Sequence, residues 1–534
     1  MTVSVGSDES IGRWLTALAE KDRGAPALRI SGRDLTVTDI VRGARRRAAA
    51  LQAIGLTTGD RIAVMMVNSD ENVISWLGIC TAGMIEVPIN TSQRGDLLAY
   101  VLAQSGARMA IVDEALAERV IRELPRVRDL QHLVVNSPDP ARVSQLEVPA
   151  SVTTMALSEL DTDQRLRDPD ISALDTSTIL YTSGTTGPSK GVVLSHSANL
   201  FLGRHTSELM SYGNDDVLYT SFPLFHINAK FTSVFAALES AALLVMEDRF
   251  SASRFWDTCR THGVTAFNYQ GALLLMLFKQ PPSDSDQAHS VSRAFGAPCP
   301  IEIWEPFERR FGLTLTEVYG MTEIAIATEN RPDSRRIGSA GRVCEQFELQ
   351  IVDPEDHPVP RGVQGEIVVR PKVPGVMIDR YFDMPNATVE AFRNLWFHTG
   401  DRGYLDDDGF LWFVDRIKDC IRRRGENISS FEVEKTLIAH PWIAEAAAYA
   451  VESELSEDEV MVSLVLNEDA DYDPIELLDW CQERLAHFAL PRFLRVVQEL
   501  PKTPSQRTQK FVLRDEGVTP DTFDRESVGY QVRR

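Results

Sequence analysis

The chain has 534 residues, 43% of them hydrophobic and 25% charged, a globular balance spread over more sequence than one core can hold. Its formal net charge is -22. That excludes the basic face of a nucleic-acid binder and otherwise implies only solubility and long-range repulsion. Cys80, Cys259, Cys299, Cys344, Cys420 and Cys481 form no CxxC pair, so a reduced, cytoplasmic setting is expected. The N-terminus lacks an apolar signal core and no run of about 18 apolar residues occurs, so no membrane span is expected. Only nine of the 55 basic residues are lysine, which makes an arginine at a site suited to lysine informative.

After the turn Thr58-Gly59-Asp60, residues 61–67 predict a buried strand. A helix is predicted over 73–82, and strands over 85–89 and 108–113. Such alternation implies parallel sheets covered by helices, an α/β class. Residues 136–170 and 280–289 are polar and read as surface connections. The composition shifts after Tyr404. Residues 405–409 form a tight turn and 410–414 a strand. The remainder predicts a helix (432–439), strands (446–451, 460–466), a helix (474–486) and a strand (492–497). The expected division is a large domain over 1–415 and a small one over 416–534, α/β in class and α+β overall.

The first chemical signal follows the strand that ends at Tyr181. It reads Thr182-Ser183-Gly184-Thr185-Thr186-Gly187-Pro188-Ser189-Lys190-Gly191. Glycines let backbone amides approach an anion, hydroxyls add donors, and the lysine supplies a point charge for polyphosphate. The spacing is not that of a Walker loop. A bare flexible turn would not gather five hydroxyls, three glycines and a lysine.

This loop resembles the TSGTTGxPKG phosphate loop of the adenylate-forming superfamily, which contains acyl-CoA synthetases, luciferases and nonribosomal adenylation domains. Ser189 stands where the family proline is usual. Further motifs follow in order. Ser221-Phe-Pro-Leu-Phe-His226 resembles the PLFH segment, in which His226 would gate the acyl and pantetheine tunnels. Gly296-Ala297-Pro298 resembles the turn against adenine. Tyr319-Gly320-Met321-Thr322-Glu323 resembles YGxTE. Tyr319 offers a flat face to adenine, Thr322 a hydroxyl to the α-phosphate, and Glu323 a hard oxygen ligand for Mg²⁺.

His398-Thr-Gly-Asp401 is similar to TGD, and implies that Asp401 accepts both ribose hydroxyls. Asp415-Arg416-Ile-Lys418-Asp419 is similar to the DRxKD hinge, with Arg416 near ribose or phosphate and Lys418 the pivot. Gly425-Glu426 resembles the loop that lines the pantetheine tunnel, and Arg424 is a candidate for the CoA phosphates. The resemblance spans about Ile11 to Arg534. It implies a large N-terminal domain of parallel-rich sheets with helices and a small, mobile α+β C-terminal domain. The ligands it implies are ATP or AMP (as acyl-AMP), coenzyme A, Mg²⁺ and a small carboxylic acid. The Phe225–Asn228 pattern and the tail after Leu513 are closest to the crotonobetaine/carnitine-CoA ligase-like branch.

One motif departs. The family's PKTxSGKxxK reads Pro501-Lys502-Thr-Pro-Ser505-Gln506-Arg507-Thr-Gln-Lys510 here. Arg507 replaces the lysine that bridges substrate carboxylate and α-phosphate. Guanidinium is wide and delocalised where ammonium is compact. Loss of one donor aimed at developing charge costs about 10²–10³ in rate. The expectation is therefore an acyl-CoA ligase that joins acyl-AMP to CoA, with adenylation impaired and the adenylate drawn from a partner enzyme. Its rivals are a complete ATP-dependent ligase, with Arg507 or Lys510 replacing the lysine, and a non-catalytic nucleotide binder. Intact His226, Thr322, Glu323, Asp401 and Lys418 argue against the last. Residues 231–238 and 272–278 are apolar and no buried countercharge stands out, which points to a neutral, fairly bulky acid from specialised metabolism.

Overall fold

A computed structural model describes residues 6 and 8–532, apart from 161, 163, 183–188, 417–420, 424–425, 429, 453–457, 486, 488 and 503–507. The side chains of 272, 416, 422–423, 426–427, 432 and 452 are also outside the description. Ser183, Gly184, Thr185, Thr186, Lys418, Arg424, Gly425 and Arg507 therefore lie outside the described residues, as do the side chains of Arg416 and Glu426.

The chain forms two compact units. The first is built on residues 8–182, 189–348 and 369–393, and the second on 349–368 and 394–532. The expected division after residue 415 falls inside the second, near the end of the strand Leu411–Arg416.

The first unit holds a seven-stranded and a nine-stranded sheet. In the seven-stranded sheet Arg61–Met65 pairs in parallel with Ile85–Pro88 and with Met109–Asp113. These are the predicted strands, and their residues are almost wholly buried, as continuous apolar runs in a parallel sheet require. Between the first two lies the helix Asp70–Thr81, capped by the Ser69 hydroxyl, which accepts from Asn72 N. The polar stretch 136–170 is more than a connection. Thr153–Ala156 pairs in parallel with His132–Asn136 at the sheet edge. A four-residue strand with three exposed or half-exposed positions carries too little periodicity to stand out.

The nine-stranded sheet orders Val217–Thr220, Ala266–Tyr269, Arg293–Gly296 and Thr314–Met321 side by side and parallel. Its core packs Phe255, Phe267, Trp304 and Phe307, all buried. The second unit contains most of a four-stranded sheet that includes Phe397–Leu405, Leu411–Arg416 and the first four residues of Gly365–Pro371. It also contains another four-stranded sheet built on Ile443–Glu452, Asp458–Leu466 and Phe493–Val496. The helix Ser430–Ile438 packs near this second sheet through Val433 and Leu437. No helix among the described residues is long and apolar enough to cross a membrane.

Candidate functional site

Parallel strands present their carboxyl ends on one edge, where loops and open backbone groups gather ligands. In the first unit that edge collects the motif residues. Thr176–Thr182 leads into the phosphate loop and the chain returns antiparallel as Lys190–Ser195, with Thr182 opposite Lys190. Val217–Thr220 leads to His226, Arg293–Gly296 to Ala297-Pro298, and Thr314–Met321 carries Tyr319 and Gly320. Two glycines here have no room for a side chain. A Cβ at Gly296 would collide with the Tyr269 carbonyl oxygen, and one at Gly320 with that of Ala325. Tyr319 is itself buried.

Three side chains far apart in sequence meet beside the phosphate loop. The Tyr381 hydroxyl donates to Glu323 Oε1 at 3.0 Å. The Lys190 ammonium stands 4.7 Å from the Tyr381 ring centroid, within cation–π range. Backbone pairing holds Tyr381 there, because Phe382 N donates to Gly191 O and Ile378 N to Glu323 O, at 2.7 Å each. Tyr381 escaped the sequence reading: it lies outside every motif, and only the fold brings it to Lys190 and Glu323. A buried carboxylate and a lysine gathered on one tyrosine suit a Mg²⁺–polyphosphate, and Glu323 is the residue that would hold the ion. The metal would neutralise phosphate charge.

His226 follows a segment pinned by Asn68. The Asn68 amide donates to the carbonyls of Phe222 and Glu247, each at 2.9 Å, and accepts from Leu224 N at 2.9 Å. Burial pushes the His226 imidazole down to about 4, so the ring is neutral at pH 7, and its Nε2 is buried with no hydrogen-bond partner among the described residues. A neutral histidine in the fold and a titrating one in the unfolded chain give full stability above pH 6.5, lost as pH falls towards 4. Replacing His226 with asparagine should remove about 1.4 kcal/mol of that loss per pH unit. Denaturant titrations of both proteins between pH 4 and 6.5 check the difference. Equal slopes would refute the neutral, buried state.

Two more acids went unnoticed in the sequence. Glu317 is buried, accepts from Cys299 N at 2.9 Å, and is pushed up to about 8 by desolvation. It thereby fastens the turn after Pro298. Glu86 forms an ion pair with Lys230 at 2.6 Å, and both side chains are wholly buried. A buried countercharge therefore exists, although its local sequence is unremarkable. A small, mostly apolar cavity lies beside Thr322, with Leu202, Ile227, Phe231 and Met377 among its walls. Elsewhere, His205, Glu329 and Cys344 bring ligand-type atoms within 4.8 Å of one another. Arg331 Nε lies 2.5 Å from Glu329 Oε1, so that carboxylate already has a permanent cation.

In the second unit, Asp401 is buried. The antiparallel register of Phe397–Leu405 with Leu411–Arg416 sets it directly opposite Arg416. The lysines on either side of Arg507 are both engaged. Lys502 Nζ meets Glu445 Oε2 at 2.5 Å. Lys510 Nζ meets Glu434 Oε1 at 2.8 Å and donates to Ser430 Oγ at 2.6 Å. Ser430 Oγ in turn donates to Asp415 Oδ2 at 2.9 Å.

Residues 15–378 match the AMP-binding enzyme family and residues 432–507 match the AMP-binding enzyme C-terminal domain. The chain therefore belongs to the adenylate-forming AMP-binding enzyme family. Within it the chain is an acyl-CoA synthetase, an acid–thiol ligase, on the following likenesses. It is 32% identical over 478 residues to the crotonobetaine/carnitine–CoA ligase of Salmonella typhi, covering 87% of this chain and 90% of that one. The o-succinylbenzoate CoA synthetase (MenE) from Bacillus subtilis, in complex with the acyl-adenylate intermediate OSB-AMP, is similar at TM-score 0.79 and 26% identity, covering 94% of this chain and 98% of that one. The anthranilate CoA ligase AuaEII, in complex with anthranoyl-AMP, shares the fold at TM-score 0.86 and 24% identity, covering 96% and 98%.

Proposed function

We propose that this ligase favours the second half of its chemistry: acyl-AMP and CoA give acyl-CoA and AMP, while formation of the adenylate is impaired. The observation that carries this reading is the state of the lysines around Arg507. Lys510 is held by Glu434 in a mostly buried pair, and Lys502 by Glu445 in a half-exposed one, so Lys510 in particular is not spare to replace the ammonium lost at position 507. Lys510 is further fixed through Ser430 to Asp415. Its removal would leave Glu434, a carboxylate already pushed up by burial, without its cation.

The rest of the machinery supports turnover of an adenylate. Lys190 and Thr182 would meet the phosphates, Thr322 the α-phosphate, and Ala297-Pro298 with Tyr319 the adenine. Asp401 and Arg416 would meet the ribose. Neutral His226 would border the acyl and pantetheine path, with Arg424, Gly425 and Glu426 on the CoA side and Lys418 as the pivot between domain orientations. The adenylate would come from a separate adenylating enzyme in the same compartment, which we take to be the cytoplasm. We take the acid to be neutral and fairly bulky, from specialised metabolism; the apolar walls of the small cavity beside Thr322 support its neutrality.

Synthetic anthranoyl-, o-succinylbenzoyl- and crotonobetainyl-AMP, drawn from what the relatives handle, supply the test. With CoA, at least one should give acyl-CoA at a rate far above that from ATP and the free acid. Brisk ATP–pyrophosphate exchange together with no thioester from any adenylate would sink the proposal.

A further inference from the structure

We propose that Glu366 is a positioning residue that sets the aim of Asp401 at the nucleotide ribose. The inference rests on the reading that Asp401 receives the ribose hydroxyls. Glu366 lies on the strand Gly365–Pro371, the neighbour of Phe397–Leu405, which carries Asp401. In a regular strand the pleat would decide where Asp401 points. Here it does not, because Gly400 has φ +69°, a left-handed conformation that breaks the alternation one residue before Asp401. The direction of Asp401 therefore depends on whatever holds that break in place.

Glu366 and its neighbour Ile367 hold it from both sides. Glu366 Oε1 accepts from Gly400 N at 3.0 Å. Glu366 Oε2 lies 2.9 Å from His398 Nδ1. The Thr399 hydroxyl donates to Ile367 O at 2.7 Å and accepts from Asp401 N at 3.1 Å. Three consecutive residues, 398 to 400, are thus tied to two on the next strand, and Asp401 is tied to them through Thr399. The clip is itself braced. His398 is almost wholly buried, with Nε2 3.8 Å from Asp356 Oδ1, and the Asn394 amide donates to Asp356 Oδ2 at 2.6 Å. One carboxylate that accepts from a backbone N–H and faces an imidazole nitrogen fixes both chain direction and ring orientation.

Calorimetric titration with AMP, 2′-deoxy-AMP and 3′-deoxy-AMP reads the ribose contact without requiring turnover. Wild type should bind each deoxy nucleotide roughly tenfold more weakly than AMP. Glu366→Ala should bind AMP roughly tenfold more weakly and lose most of its discrimination among the three. Glu366→Gln retains an acceptor for Gly400 N, the contact that holds the break, so it should stay near wild type. If Glu366→Ala does not fold, Glu366→Asp, which withdraws the carboxylate by one methylene, carries the same expectation. A wild type indifferent to the missing hydroxyls would overturn the Asp401 reading. A discriminating wild type whose Glu366→Ala or Glu366→Asp variant discriminates equally well would overturn the role of Glu366 alone.

Discussion

Replacing Arg507 with lysine should raise adenylation, measured by ATP–pyrophosphate exchange, by about 10²–10³. It should leave conversion of supplied acyl-AMP to acyl-CoA within a few-fold of its starting rate. The asymmetry follows from where charge develops. In adenylation, negative charge builds between the substrate carboxylate and the α-phosphate, and a compact ammonium can enter that space. A planar guanidinium spreads its charge and needs a flat, bidentate partner. On the proposed reading, thioester formation would use another domain orientation, in which the residue at position 507 would be away from the reacting atoms. Gln506 removes a glycine's backbone freedom beside the site, so Gln506→Gly combined with Arg507→Lys should exceed the single change. No gain from either variant would favour the complete ATP-dependent ligase. Loss of thioester formation in Arg507→Lys would contradict the separation of the two halves.

The second large effect is expected at a pair of residues that no motif contains. Lys230→Ala should destabilise the protein by about 3–5 kcal/mol, because it leaves Glu86 buried without a counter-ion. The pair has no solvent to fall back on: both side chains are at 0% exposure, and the Lys230 ammonium also stands 3.9 Å over the Trp76 ring. Burial pushes Glu86 up and Lys230 down, and each opposes the shift of the other. Glu86 belongs to the seven-stranded sheet. Lys230 lies on the π-helix Asn228–Phe235 just after His226, a wide helical form that recurs at functional sites. The pair therefore ties the His226 segment to the opposite sheet. Chemical denaturation measures the loss, and thioester formation should fall with it. The combined change Glu86→Leu and Lys230→Met removes both charges and should recover most of the stability. A single-variant cost below about 1 kcal/mol would mean that water or another cation reaches Glu86.

Local order was readable where one physical rule acted alone. The buried parallel strands were legible as apolar runs, and 61–67 and 85–89 differ from Arg61–Met65 and Ile85–Pro88 only at their ends. The helix beginning at Pro474 was legible but ends at Gln482 rather than 486. The helix Lys510–Glu516 was not, because its seven residues follow a proline-bearing polar stretch and its first lysine is held by tertiary partners. The edge strand Thr153–Ala156 was missed for a similar reason: its pairing, not its composition, makes it a strand.

The sequence by itself determined the chemical inventory of this protein. The phosphate loop, Tyr319–Glu323, His398–Asp401 and the substitution at Arg507 are contiguous, and contiguous chemistry survives without coordinates. Only the tertiary structure decided how that inventory is held. Tyr381 on Glu323, Glu317 under Cys299, Lys230 on Glu86, Lys510 on Glu434 and Glu366 behind Asp401 join residues from 18 to 144 positions apart. No local pattern marks such partners. A charge enters a protein interior only when its counter-charge or donor arrives from another element, and the fold alone fixes which element that is.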